Sequence, residues 1–149
     1  MNAKWLSGVA HGSRHVMIRT FFDSGVLIAG AKGTPAERTK ALAMLRDPGR
    51  QFLTSPFLHL EVVPKAVFNK NRLEERFYEI YFRNAEWCHD SSAIVELAQK
   101  ECARSGLNAM DGLHVAAAHL LRADEFVTTE KPTKSIYRSA LVKIVYLFV

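Results

Sequence analysis

MDGLHVAAAHLLRADEFVTTE, residues 110–130, is the stretch of this sequence that decides the fold. Its first half carries apolar residues at the spacing of one helix face: Leu113, Ala116, Ala117, Leu120 and Leu121. This spacing predicts an amphipathic helix that begins near Asn108, and its alanines would allow close packing against a sheet. The β-branched and aromatic run at 125–129 predicts a strand that ends directly before an acid, Glu130.

The alternation of helix and strand extends along the rest of the chain. Ser24 and Gly25 predict a break after the first strand, and Pro64 predicts a kink in the second helix. Strands separated by helices imply right-handed crossovers and parallel pairing. The sequence therefore predicts an α/β fold, a three-layer α/β/α sandwich with a mainly parallel central sheet. The strands are predicted at 19–23, 52–54, 87–89, 125–129 and 141–148, and the helices begin near Thr34, Ser55, Leu73, Ser91 and Asn108.

The predicted fold occupies residues 17–149, and residues 1–16 are interpreted as a flexible N-terminal extension because they show neither helical nor strand periodicity. The length of 149 residues and the 48% hydrophobic content fit one globular domain and exclude collagen and disordered chains. Two cysteines exclude a disulfide scaffold and are typical of a reducing, cytoplasmic environment. No apolar run reaches the roughly 18 residues of a membrane span, so no membrane partner is expected.

The charge is basic but unevenly placed. The formal net charge is +5. The first 20 and the last 19 residues contain lysines and arginines but no acids, whereas acids slightly outnumber lysines and arginines in the middle of the chain. Basic ends are compatible with nucleic-acid binding and equally with ordinary solvated termini. Charge alone therefore does not decide between these two interpretations.

Four acids follow or lie near the ends of predicted strands. Asp23 ends the first strand, Glu61 lies one turn into the helix after the second, Asp111 opens the Asn108 helix, and Glu130 follows the fourth strand. In a parallel sheet these positions meet at one edge, where ligands bind. Several carboxylates together repel one another, and a hard cation such as Mg²⁺ or Mn²⁺ relieves that repulsion. Each acid also has a simpler interpretation, as a turn former, a helix-cap residue or a solvated surface group.

Four parts of the chain, in this order and spacing, resemble the PIN-domain family, which includes VapC-like toxins and domains of the PilT N-terminus type. They are RTFFDSGVLIAG (19–30), TSPFLHLEVVPKA (54–66), LNAMDGLHVAAAHLLRADEFVTTE (107–130) and the closing apolar strand (141–148). The resemblance implies an endoribonuclease dependent on Mg²⁺ or Mn²⁺, with an RNA substrate. It also implies the toxin of a type II toxin–antitoxin pair, with an antitoxin partner and a homodimer. By the same resemblance, the catalytic and metal-binding residues would be Asp23, Glu61, Asp111 and Glu130.

The resemblance also suggests polar support for the acids from Ser24 and Thr128. One departure is Glu130, since the family usually has an aspartate there, and the longer side chain would alter direct ligation. The alternative is therefore a PIN-like module with weak or no cleavage that binds RNA or a protein partner. His114 lies one turn after Asp111 and could join the site, although its position favours an ordinary helix-face residue.

Three lysines are candidates for contacts with RNA phosphates. Lys131 and Lys134 follow Glu130 in a basic loop, and Lys65 follows Glu61 by one helical turn. Three acids on the helix that begins near Leu73 favour a competing interpretation, in which that region is a salt-bridged surface: Glu74, Glu75 and Glu79. The aromatic residues of the same helix are expected in the core or in a protein interface: Phe77, Tyr78, Tyr81 and Phe82.

Overall fold

A computed structural model describes residues 17–149 of the chain, so the predicted extension at 1–16 lies outside the described residues. The strands are β1 (Ile18–Phe22), β2 (Arg50–Thr54), β3 (Glu86–Trp87), β4 (Glu125–Thr128) and β5 (Ile144–Tyr146). The helices are α1 (Ser24–Lys32), α2 (Pro35–Leu45), α3 (Pro56–Phe68), α4 (Arg72–Asn84), α5 (Ser91–Ser105) and α6 (Ala109–Leu120), with a short 3₁₀ helix at Ser135–Arg138.

The five strands form one parallel sheet in the order β3-β2-β1-β4-β5. Phe21 and Phe22 are adjacent on β1 and both fully buried. Since successive strand residues point to opposite faces, both faces of the sheet are covered. The predicted α/β fold with a parallel central sheet is therefore confirmed.

The strand order places the switch point of the fold next to β1. The chain moves from β1 to β2 on one side, whereas β4 lies against β1 on the other side. Crevices of this kind, outside the carboxyl ends of the strands, are where ligands bind in open α/β sheets. Asp23 follows β1 and Glu130 follows β4, so both lie at this point.

Ser24 and Gly25 follow the end of the first strand as predicted, since β1 stops at Phe22, but the sequence did not predict the helix α1 that begins there. Asp23 caps this helix by accepting a hydrogen bond from the Ser24 backbone N–H. Gly25 is required by a tertiary contact, since a Cβ at this position would lie 2.1 Å from Thr129 Oγ1. The glycine that suggested a turn thus permits a close approach between α1 and the residue after β4.

The other boundaries differ by smaller amounts. The helix start predicted near Thr34 is confirmed: α2 begins at Pro35, after a capping box in which Thr34 and Glu37 exchange hydrogen bonds of 2.9 and 3.3 Å. Helix α3 continues through Pro64, and β5 is only three residues long. Helix α5 begins at Ser91 as predicted and is capped by the side chain of Asp90. Tyr78, Tyr81 and Phe82 are buried in the core, whereas Phe77 is partly buried against it.

No helix within residues 17–149 is long and apolar enough to span a membrane.

Candidate metal centre

Asp23 is fixed at the centre of the candidate site by two neighbouring elements. Its carboxylate is buried and accepts hydrogen bonds from the Ser24 backbone N–H at 2.8 Å and from Thr128 Oγ1 at 2.9 Å. Thr128 is the last residue of β4, and its hydroxyl also accepts the backbone N–H of Glu130 at 3.0 Å. The ends of β1 and β4 are thereby tied together through the one hydroxyl of Thr128.

Glu61 approaches the same edge of the sheet from the second turn of α3. Its Oε1 lies 2.9 Å from Nε2 of His114 on α6. This hydrogen bond lowers the pKa of Glu61, and a side-chain hydrogen bond from Ser24 acts in the same direction, against partial burial. Glu61 is therefore held as a carboxylate that faces the end of β1.

Asp111 lies in the first turn of α6, where the helix cap Asn108 orients it. The backbone N–H of Asp111 donates to Asn108 Oδ1 at 2.9 Å, and Asn108 Nδ2 donates to the Asp111 carboxylate at 3.1 Å. Burial, followed by the negative charges of Asp23, Glu130 and Glu61, raises the pKa of Asp111 to about 6, against an opposing effect of His114. All four predicted acids thus share one electrostatic environment, and the structure brings them to the same edge of the sheet.

The acids are not equally close. Asp23, Glu61 and His114 can offer one ligand atom each within 4.8 Å of one another, and this compact group includes neither Asp111 nor Glu130. Glu130 is held mainly through its backbone, since its carbonyl accepts a hydrogen bond from the Tyr137 hydroxyl at 2.8 Å. The ligand roles of Asp111 and Glu130 therefore stay predictions.

The sequence favoured an ordinary helix-face role for His114 over a place in the site, and the structure places it in the acid cluster. The ring is 1% exposed and contacts Glu61, so it belongs to the acid cluster. A sequence signal was available: His114 follows Asp111 by three residues on one helix, and residues at this spacing share a face. A histidine on the face of α6 that already carries an acid would have been the clue.

The predicted phosphate-binding lysines lie on exposed surface. Lys65 follows Glu61 by four residues on α3, so it lies on the same side of that helix. Lys131 and Lys134 are joined by a turn in which the Lys134 N–H donates to the Lys131 carbonyl at 2.9 Å. None of the three makes an ion pair with a residue in the described part of the chain. Their role in RNA binding stays a prediction.

The chemistry of this donor set fits a divalent cation. Oxygen donors dominate the cluster, which is the ligand chemistry that Mg²⁺ and Mn²⁺ prefer. Burial and then the neighbouring carboxylates raise the pKa of Asp111 and disfavour its ionised form, and a bound cation would offset this effect. The residues present thus suit a cation both in ligand type and in charge.

Comparison with known proteins identifies the fold. No protein-family model matches the sequence, and no curated protein sequence matches it. Similar solved structures include VapBC2 of Rickettsia felis bound to a promoter DNA fragment, with a TM-score of 0.64, 12% identity, and coverage of 86% of this chain and 98% of that chain. A toxin–antitoxin complex from Klebsiella pneumoniae gives a TM-score of 0.65 at 21% identity, covering 87% of this chain and 98% of that chain. DNA-bound VapBC of Salmonella typhimurium gives 0.61 at 17% identity, covering 88% of this chain and 99% of that chain. At these identities the likeness establishes the architecture, and the chain has the PIN-domain fold expected from its sequence.

Proposed function

We propose that this chain is a divalent-cation-dependent endoribonuclease that serves as the toxin of a toxin–antitoxin pair. The observation that carries the proposal is that the carboxylates of Asp23 and Glu61, with His114 against Glu61, have polar atoms within 4.8 Å of one another beside Asp111. The likeness in fold to proteins solved as toxin–antitoxin complexes supports the same assignment.

The four carboxylates would hold Mg²⁺ or Mn²⁺ between the ends of β1 and β4 and the helices α3 and α6. When bound, the cation supplies Lewis acidity toward a phosphate oxygen and lowers the pKa of a water molecule. The chain's own residues set the geometry: Thr128 and the Ser24 N–H orient Asp23, and Asn108 orients Asp111. This fixed arrangement is what positions the reacting groups before the RNA arrives.

The substrate would approach over a surface that carries positive charge beside the acids. Lys131 and Lys134 follow the proposed ligand Glu130 in the chain, and Lys65 lies one turn beyond Glu61. Their exposed ammonium groups are free to neutralise RNA phosphates without first breaking an ion pair within residues 17–149. This placement favours RNA backbone contacts close to the cation.

An antitoxin and a second copy of the chain are the protein partners proposed. The likeness to toxin–antitoxin complexes supports the first, and exposed apolar side chains where α3 meets α4 support protein contacts more generally. Phe68 is 84% exposed and Leu73 is 86% exposed, which is unfavourable for a surface that faces only water. Light scattering of the purified chain, alone and with its antitoxin, would measure both assemblies.

Cleavage of RNA by the purified chain tests the enzymatic proposal. We expect cleavage with millimolar Mn²⁺ or Mg²⁺, none with EDTA, and none from Asp23→Asn or Asp111→Asn. Glu96→Gln is the matched control, because it makes the same chemical change at an exposed position of α5 outside the cluster. Cleavage that survives the double substitution of Asp23 and Asp111 would come from a contaminant and would refute the assignment.

Glu130 favours one alternative, a PIN-like module that binds RNA or a protein without efficient cleavage. Its carboxylate does not belong to the compact group of ligand atoms, and its backbone is tied to Thr128 and Tyr137. Glu130→Asp distinguishes the two functions: a gain in cleavage would indicate an enzyme slowed by the longer side chain. RNA binding without cleavage by both forms would indicate the binding module.

A further inference from the structure

The middle of α6 is buried on all sides and contains one imidazole among small apolar residues. His114 is 1% exposed, is followed by Val115 and three fully buried alanines, and packs against Phe21 with ring centroids 5.9 Å apart. Burying a polar ring is unfavourable unless its polar atoms are hydrogen-bonded. The contact with Glu61 is therefore what makes a histidine preferable to leucine or isoleucine here.

The two ring nitrogens of His114 have different surroundings. Nε2 lies 2.9 Å from Glu61 Oε1, whereas Nδ1 is buried and has no hydrogen-bond partner in the described part of the structure. A histidine that binds a metal through Nε2 carries its proton on Nδ1, and that N–H is almost always donated to an acceptor. Here such a proton would be a buried donor without an acceptor, which is costlier than an unpaired lone pair.

We propose that His114 is a positioning residue, which donates its Nε2–H to Glu61 and stays outside the coordination shell of the cation. The cation itself rests on the proposed function, but the hydrogen bond does not. Asp23 is held in the same manner by the hydroxyl of Thr128, so each of these carboxylates has a donor on a neighbouring element. The consequence is a coordination shell of oxygen donors, with the nitrogen one layer further out.

The protonation pattern can be tested in the metal-free protein. The chain has six histidines, so we would label histidine with ¹⁵N, record long-range ¹H–¹⁵N spectra in EDTA, and assign His114 by its absence in His114→Gln. We expect a proton on Nε2, donated to Glu61. A ring whose only proton lies on Nδ1 would overturn the proposal, because Nε2 would then be free to bind a metal.

The effect on the cation is tested by Mn²⁺ titration, followed by the EPR signal of the free ion. Loss of a group that orients a metal ligand weakens metal affinity by roughly 10- to 100-fold, and we expect this for His114→Leu. The side-chain amide of His114→Gln offers an N–H near the position of Nε2. The decrease in log Mn²⁺ affinity should therefore be less than about a third of the decrease caused by His114→Leu. His119→Gln is the control, because His119 is exposed on the same helix and contacts Leu141 O instead.

The outcomes separate this inference from the proposed function. Electron spin echo spectra of bound Mn²⁺ should lack the ¹⁴N coupling of a coordinated imidazole. If wild type shows this coupling and His114→Gln loses it, His114 is a metal ligand and the proposal is overturned. Unchanged affinity in His114→Leu would also overturn the positioning role, as would equal weakening in the leucine and glutamine variants. A wild-type chain that binds no Mn²⁺ would instead refute the cation site of the proposed function. Thermal melting in EDTA confirms that each variant is folded.

Discussion

Replacing Asp111 by Asn should stabilise the metal-free protein at about pH 7.5. The carboxylate of Asp111 is partly buried beside Asp23, Glu61 and Glu130, so its ionised form repels three like charges. Asparagine has nearly the same shape and keeps its backbone N–H on Asn108. The substitution therefore removes the charge while it leaves the start of α6 in place.

The size of the effect follows from the pKa of Asp111, which is raised from 3.8 to about 6. A difference of about two pH units corresponds to about 3 kcal/mol for a fully shielded group. The carboxyl is partly exposed, and screening by water reduces this figure to about 1–2 kcal/mol. Asparagine also loses about 0.5 kcal/mol of favourable interaction with the dipole of α6. A net gain of about 1 kcal/mol remains, or about 2–4 °C in melting temperature for a chain of this size.

The pH dependence of the difference has a definite sign. Because the folded-state pKa is above its unfolded value, the penalty is fully present above about pH 6 and is relieved as the pH falls toward about 4. Urea unfolding in EDTA at about pH 7.5 and about pH 5 measures both values for wild type, Asp111→Asn and the surface control Glu96→Gln. A variant that is less stable than wild type at the higher pH, or a gain that does not shrink at the lower pH, would refute the electrostatic account of the cluster.

Three further outcomes are expected. Thr128→Val removes the hydroxyl that donates to Asp23 and should lower the free energy of unfolding by about 1–3 kcal/mol in urea titrations, whereas Thr128→Ser should stay close to wild type. Gly25→Ala should lower the free energy of unfolding by about 1–3 kcal/mol, because the new Cβ would meet Thr129 Oγ1. This loss is expected although alanine normally favours a helix over glycine. The double variant with Thr129→Ala should recover most of the lost stability. Lys131→Ala should weaken RNA binding similarly for all sequences and reduce the slope of log affinity against log salt by about 1, whereas an unchanged slope would exclude a phosphate contact.

The sequence predicted those parts of the site that follow from strand direction. Parallel strands carry their carboxyl ends to one edge, so the acid after β1 and the acid after β4 had to meet once both strands were recognised. Helix α1 was missed because Ser24 and Gly25 are typical of turns, and the contact that requires Gly25 comes from Thr129, about a hundred residues away. Local sequence carries no information about such an approach.

The end of the chain shows a second limit of sequence reasoning. The apolar run at 141–148 predicted a strand of eight residues, but only Ile144–Tyr146 pairs with β4. A strand can extend only as far as its neighbour offers backbone partners, and β4 has just four residues. The length of β5 is therefore set by the sheet rather than by the strand preference of its own residues.

The electrostatic cost of the acid cluster bears directly on its proposed use. The penalty of about 1–2 kcal/mol on Asp111 comes first from burial and then from neighbouring negative charge, and a cation in the cluster would offset it. Since about 1.4 kcal/mol is a factor of ten in an equilibrium constant, relief of this penalty would strengthen cation binding by at most roughly tenfold. The same hydrogen bonds that fix Asp23 and Asp111 prevent the carboxylates from moving apart to relieve it without a cation. Because the acids are held together in this way, their repulsion would be relieved by binding a cation rather than by a rearrangement of the site. This is the property that the proposed metal-dependent nuclease requires.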